Sequence, residues 1–234
     1  MALAASREGE ASKPALALSP FHHGDPNNAI VAAPGAGSRI ALTFDDGPLP
    51  GPTREVLAFL RRQRTSATFF AVGRRAALHP AIVREQLAAG HELASHTWSH
   101  PLLPPLPANA MRAEITRGAT ALQRITGDRP QFFRPPHGYF DRRVSAAAAA
   151  LGMGTIGWDI AVDRAATGRS AQAAAAVVLR QVRPGSILLA HDLPRGGPRA
   201  IAILSIVLPE LRRRGIRVGT VSELLRAAAL SDQR

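Results

Sequence analysis

The sequence predicts an α/β chain folded as a small or incomplete parallel β/α barrel of about seven strands. Three observations carry that expectation. Short apolar runs alternate with longer amphipathic segments from residue 39 onward. The runs are apolar along their whole length, as parallel strands covered on both faces require. Glycines stand just past the last periodic residue of several amphipathic segments, at Gly90, Gly127, Gly152 and Gly215, where a helix stops.

In chain order, residues 1–38 mix Pro, Gly, Asn and Ser with short Ala/Leu pieces and show no period. They are expected to form an N-terminal tail or wrapping arm, with one domain over 39–234. The first β-like run, 40–44, ends in Asp-Asp-Gly-Pro, and 54–64 follows as the first amphipathic helix. Strand 67–72 leads to helix 81–89, strand 91–94 to helix 108–125, and strand 131–134 to helix 142–151. A run at 155–160 precedes helix 171–182, a run at 186–190 precedes helix 201–213, and 217–221 closes the series. No sequence repeat points to a solenoid.

Composition narrows the function. The chain has 234 residues, 46% hydrophobic and 20% charged, enough to bury one core, so disorder is excluded as the dominant state. No apolar stretch reaches the ~18 residues of a membrane span. Cysteine is absent, which removes disulfides, thiolate metal sites and a Cys nucleophile. Any metal must be held by His and carboxylates. Lys+Arg number 29 against 17 Asp+Glu, and Lys13 is the only lysine. The arginines are dispersed in pairs and triples on polar helix faces beside Ala runs, so they predict no specific nucleic-acid partner, whereas an anionic wall polymer would suit the charge. The apolar stretch 15–18 is too short for an export signal and Glu8 and Glu10 precede it, so a cytoplasmic location is expected.

Chemistry in a β/α barrel lies where strands end. Asp45 and Asp46 are adjacent carboxylates at such an end, and adjacent residues leave a strand in different directions. One can face a metal while the other faces the reacting atom; a solvated turn is the plainer alternative. His96 and His100 are spaced i, i+4, which on a helical turn puts both imidazoles on one face. With Asp46 they make a two-His, one-carboxylate set that leaves coordination positions open for water and substrate. Arg134 precedes a Pro-Pro-His-Gly loop stiff enough to fix it, though it could equally face solvent. His191, ending an apolar run, reads by itself as structural.

Taken together and in this order, the motifs resemble the polysaccharide deacetylase family, whose domain is the NodB homology domain of carbohydrate esterase family four. Thr-Phe-Asp-Asp-Gly-Pro at 43–48, His-Thr-Trp-Ser-His at 96–100, Arg-Pro-Pro-His-Gly at 134–138 and Leu-Ala-His at 189–191 carry the resemblance, which spans 39–225. It implies a distorted β/α barrel of the NodB type and metal-dependent removal of N-acetyl, or O-acetyl, groups from a glycan containing N-acetylglucosamine. It implies Asp46, His96 and His100 as ligands of one divalent ion, zinc before cobalt, manganese or nickel. Asp45 would be the general base, Arg134 its orienting partner, His191 the general acid, and the backbone N–H of His137 an oxyanion donor.

Two positions depart from the family pattern. His137 stands where a Tyr is usual, and the fourth motif, Asp-x-x-Asp-Trp, is degraded to Trp158-Asp159-Ile160-Ala161-Val162-Asp163-Arg164. Asp163, or alternatively Asp159, would tune His191, with Arg164 in place of the Trp. His137, Tyr139 and Leu189 are expected to contact substrate, and Phe140 either lines the site or packs in the core. Two other functions remain compatible with the residues. One is a non-haem iron enzyme on the same ligands; the other is a non-catalytic sugar-binding relative.

Overall fold

Strand β1 (Arg39–Asp45) organises the fold. The structure, a computed structural model, describes residues 29–139, 141–165 and 167–231. Ile40, Leu42 and Phe44 of β1 pack into a core shared with the surrounding helices, while Ala41 faces a second core with Phe70, Ala94, Phe132, Ile156 and Ile187 inside the barrel. The two-residue period therefore sends Thr43 and Asp45 inward too, with Asp45 at the strand's C-terminal end.

All strand pairs are parallel: β1 with β2 (Thr68–Ala71), then β3 (Glu92–Ser95), β4 (Phe132–Phe133) and β5 (Gly154–Thr155) on one side. On the other side β1 pairs β7 (Ile187–His191), which pairs β6 (Ile160–Ala161). The sheet order is β5-β4-β3-β2-β1-β7-β6, with β8 (Arg217–Gly219) set against the start of β1. Register places Asp45 beside His191 at the tops of neighbouring strands.

Helices α1 (Pro52–Gln63), α2 (Gly73–Leu78), α3 (Pro80–Ala88), α4 (Ala108–Thr126), α5 (Arg142–Ala149), α6 (Val162–Ala165), α7 (Ala171–Gln181), α8 (Gly196–Arg213) and α9 (Val221–Ser231) complete the fold. Asp141 caps α5 by accepting from the N–H groups of Arg143 and Val144, a contact worth about 1 kcal/mol. Among the described residues no helix is long and apolar enough to cross a membrane.

The run expected as one strand at 155–160 is two strands on opposite edges of the sheet. Between them Gly157 lies under the N-terminal arm: a Cβ there would sit 2.8 Å from Cγ1 of Val31, and its N–H donates to the Ile30 carbonyl at 2.8 Å. The arm thus crosses the gap that direct pairing leaves open. Ile30 bridges Ile156 beyond β5, and Ala32 bridges Ser186 just before β7. Ala33 and Ala36 are buried behind it. Residues 1–28 of the expected tail lie outside the described residues.

The C-terminal end also differs from expectation. The run 217–221 stops as a strand at Gly219, and α9 follows, burying Val221, Leu224, Leu225 and Ala228 at i, i+3, i+4 and i+7. It plugs the barrel floor: the Val221 N–H donates to Oγ1 of Thr68 at 2.9 Å, and the Ser222 hydroxyl donates to the Glu92 carboxylate.

Candidate active site

Asp46, His96 and His100 converge at the C-terminal mouth of the barrel, with their ligand atoms all within 4.8 Å of one another. Oδ1 of Asp46 lies 2.9 Å from Nε2 of His100 and 3.5 Å from Nε2 of His96. Bonds of about 2.0–2.2 Å to a shared ion would subtend such edges. Nδ1 of His96 is 2.7 Å from the Arg134 carbonyl, so that nitrogen carries the proton and Nε2 keeps its lone pair. Oδ1 of Asp46 is buried with no hydrogen-bond donor among the described residues. A buried carboxylate oxygen 2.9 and 3.5 Å from two imidazole nitrogens, with the His96 Nε2 lone pair turned toward it, fits one divalent cation.

The segment carrying the two histidines is a loop, not the helical turn their spacing predicted. Thr97 (φ 65) and His100 (φ 67) are left-handed, a conformation that costs a β-branched residue ~1–3 kcal/mol and must be enforced by its surroundings. The surroundings do enforce it. The Ser99 N–H and hydroxyl both donate to the Glu114 carboxylate, at 2.8 and 2.9 Å, and Thr97 Oγ1 accepts the His100 N–H at 3.0 Å. Gly118 of α4 comes so close that a Cβ would lie 2.5 Å from the Thr97 carbonyl carbon.

Asp45 is held by Arg134. The guanidinium is fully buried and donates Nη1 to Asp45 Oδ1 at 2.7 Å and to Thr43 Oγ1 at 2.8 Å. Nη2 donates to the Gly157 carbonyl at 2.7 Å, and Nε to that of Ile156 at 3.2 Å. Burial presses the Arg134 pKa down and the Asp45 charge opposes it. The free Oδ2 of Asp45 is 3.9 Å from Nε2 of His96, beside the ligand set but outside it.

On the neighbouring strand stands His191, whose Nδ1 is 2.5 Å from Oδ2 of Asp163. Burial alone would lower its pKa, but Asp163, joined by the charges of Asp45 and Asp46, pushes it up to about 9. Asp159 does not face His191: its carboxylate accepts from the Ser186 hydroxyl and the Ile187 N–H, at 2.8 and 2.7 Å. Asp192 is buried and accepts from the Gly47 N–H at 2.9 Å and the Thr53 hydroxyl at 2.6 Å, which ties the Asp46 loop to α1. Burial pushes its carboxyl up to about 6 against those two bonds.

A cavity of about 300 Å³ joins Asp45, Asp46, His96, His100, Asp163 and His191. His137 and Leu189 line it, as do Trp158 and Ala161. The His137 ring meets His100 edge-on at 4.6 Å between centroids, from a left-handed backbone of φ 61. Tyr139 is 62% exposed and is not part of the cavity wall. Phe140 and the Arg164 side chain lie outside the described residues. Trp158 supplies the aromatic wall, packed so close under Gly138 that a Cβ there would lie 2.6 Å from its ring. Sequence reasoning missed Glu114 and Arg75, whose Nη1 donates to the Asp46 carbonyl at 2.6 Å. Only their place beside a motif in space marks them.

The Asp45–Arg134 and His191–Asp163 pairs beside a cation-ready Asp-His-His set, at the strand ends of a β/α barrel, are the architecture of a metal-dependent hydrolase. The family model for polysaccharide deacetylase matches residues 32–156. A peptidoglycan-N-acetylglucosamine deacetylase of Bacillus cereus is 35% identical over 188 residues, covering 80% of this chain and 88% of that one. A chitooligosaccharide deacetylase of Bradyrhizobium sp. is 33% identical over 205 residues, covering 79% and 90%. The structure of a family 4 acetyl xylan esterase from Clostridium thermocellum in complex with a cobalt ion superposes with a TM-score of 0.73 at 32% identity, over 80% of this chain and 90% of that one. The chain belongs to the polysaccharide deacetylase family.

Proposed function

We propose that this protein removes the N-acetyl group from N-acetylglucosamine units of a glycan, of the peptidoglycan or chitooligosaccharide kind on which its relatives are named as acting. One observation carries the reading: a single cavity brings together Asp45 fixed by Arg134, His191 fixed by Asp163, and the Asp46, His96 and His100 set. Asp46, His96 and His100 would hold the ion, with zinc the best match to a mixed imidazole and carboxylate set. Bound there, a divalent ion supplies a Lewis acid for the acetyl carbonyl and brings the pKa of water from 15.7 toward ~7.

The chain's own residues supply the proton traffic. Asp45, its Oδ1 tied to Arg134, presents Oδ2 to take a proton from the attacking water. His191, cationic through Asp163, gives a proton to the departing amine, which leaves poorly without one. Trp158 and Leu189 wall the sugar and exclude bulk water from the reacting carbonyl.

The same ligands could serve an iron oxygenase, and a pure binding module would need neither acid nor base. The paired Asp45–Arg134 and His191–Asp163 units favour hydrolysis over both. Acetate release from N-acetylchitooligosaccharides and from peptidoglycan fragments is the test, run anaerobically with chelated and zinc-restored protein. Acetate formed without oxygen and only with metal is expected. Absence of acetate with every substrate and with zinc, cobalt, manganese and nickel would overturn the reading.

A further inference from the structure

At the end of the barrel away from the site, strand starts and helix C-termini enclose a basin of about 590 Å³, the size of a small-ligand pocket rather than an ion site. Arg39 opens β1 and Asp45 closes it, so basin and catalytic mouth are about 20 Å apart along one strand. Arg39, Arg64, Arg212, Arg217 and Arg226 line the basin. Arg39 and Arg217 are register partners on parallel strands, so their side chains leave the same face of the sheet.

The charges are not cancelled locally. Glu223 is the single carboxylate in the lining, and its Oε2 already accepts the Thr220 N–H at 2.9 Å and the Ser66 hydroxyl at 3.3 Å. Two of the arginines have evident structural work: Arg64 is the left-handed C-cap of α1, and Arg212 donates to the Gln63 carbonyl at 2.7 Å. Arg39, Arg217 and Arg226 make no ion pair among the described residues. Guanidiniums gathered this way repel one another, and a bound anion relieves that repulsion through forked hydrogen bonds. Between them the floor is apolar, formed by Ile40, Leu224 and Ala227, with Leu230 64% exposed at the rim. A charged rim over an apolar floor matches a sugar ring carrying an acidic substituent.

We propose that this basin binds an anionic saccharide segment, sugar or polyol units bearing carboxylate or phosphate groups. It holds the enzyme on a charged polymer while the catalytic mouth stays open at the other end. The choice of a saccharide among polyanions rests on the glycan reading of the active site; the anion site itself does not.

The test is calorimetric titration of the full chain with trigalacturonate and with a glycerol phosphate trimer. Inorganic phosphate and a trinucleotide serve as comparisons, and the variant is Arg217→Gln/Arg226→Gln, both exposed positions. At least ~10-fold weaker binding of one trimer by the variant is expected, with affinity falling as salt rises. A uronate preference assigns the carboxylate source, and a glycerol phosphate preference the phosphate source. Acetate release from a soluble N-acetylchitooligosaccharide should be equal in both proteins. Failure of acetate release in wild type counts against the deacetylase reading alone, while trimer binding unchanged in the variant overturns the basin. Inorganic phosphate or the trinucleotide binding as tightly as the better trimer overturns the saccharide assignment. Should the double variant melt early, Arg226→Gln alone gives the same comparison.

Discussion

Nδ1 of His191 donates to Oδ2 of Asp163 at 2.5 Å, while Asp159, four positions earlier, is turned away onto Ser186 and Ile187. The pairing raises the His191 pKa to about 9, and a general acid works only while protonated. Asp163→Asn should therefore move the alkaline limb of the kcat profile to lower pH, and Asp159→Asn should leave it in place. The raised pKa also has a stability sign. The ion pair's contribution is complete below the unfolded pKa of 6.5 and is lost as pH climbs through about 9. A limb that follows Asp159 instead would reverse the assignment.

Asp45 sits beside the ligand set, not in it. Asp45→Asn should retain a full equivalent of metal by elemental analysis yet lose at least ~10²-fold in kcat. Metal lost along with activity would mean that Asp45 is itself a ligand.

His96 is held by the Arg134 carbonyl through Nδ1 and offers Nε2 to the ion. His96→Ala should bind zinc at least ~10-fold more weakly in a competition titration, because two ligands remain of three. Undiminished affinity would place the metal elsewhere.

Gly47 follows Asp46 of the candidate metal set, and a Cβ on it would lie 2.1 Å from Oδ2 of Asp192. Gly47→Ala should displace that buried carboxylate, release the loop and weaken metal binding by ~10–100-fold. Gly51→Ala, where nothing lies within 4 Å, is the control and should be silent. Equal metal affinity in the two variants would show that the Asp192 tie does not position Asp46.

The sequence pattern showed the fold through burial: runs covered on both faces stay apolar throughout, and β1, β2 and β7 are such runs. It could not show that 155–160 divides into β5 and β6, because the division depends on Val31 reaching Gly157 from the arm. Helix α9 was legible in its i, i+3, i+4, i+7 spacing but was masked by the strand-like run before it. Asp46, His96 and His100, which the structure brings together, were legible because they follow strand ends within short motifs. Glu114 and Arg75 were not, since each acts on a loop remote in sequence, and the choice between Asp159 and Asp163 needed side-chain directions.

His91 is buried with Nδ1 accepting the Ala67 N–H at 3.3 Å, and burial lowers its pKa to about 4. The unfolded chain takes up this proton first, so stability falls as pH drops below 6.5 and levels off near 4. The penalty is about 3 kcal/mol. His91→Asn, which can keep an acceptor there, should lose less stability over that interval in urea denaturation. Parallel losses would assign the acid sensitivity to other groups.

The arm at 29–33 has a consequence for how the molecule is made. Ile30 and Ala32 are synthesised before their bridge partners, Ile156 and Ser186, which lie in the second half of the chain. Until the arm is seated against Ile156, the sheet has a bare edge at β5, and bare edges recruit other chains. Closing the ring is then a late, long-range event, slower than forming any one strand–helix unit. Seated beside β5, the arm guards solubility as well as shape.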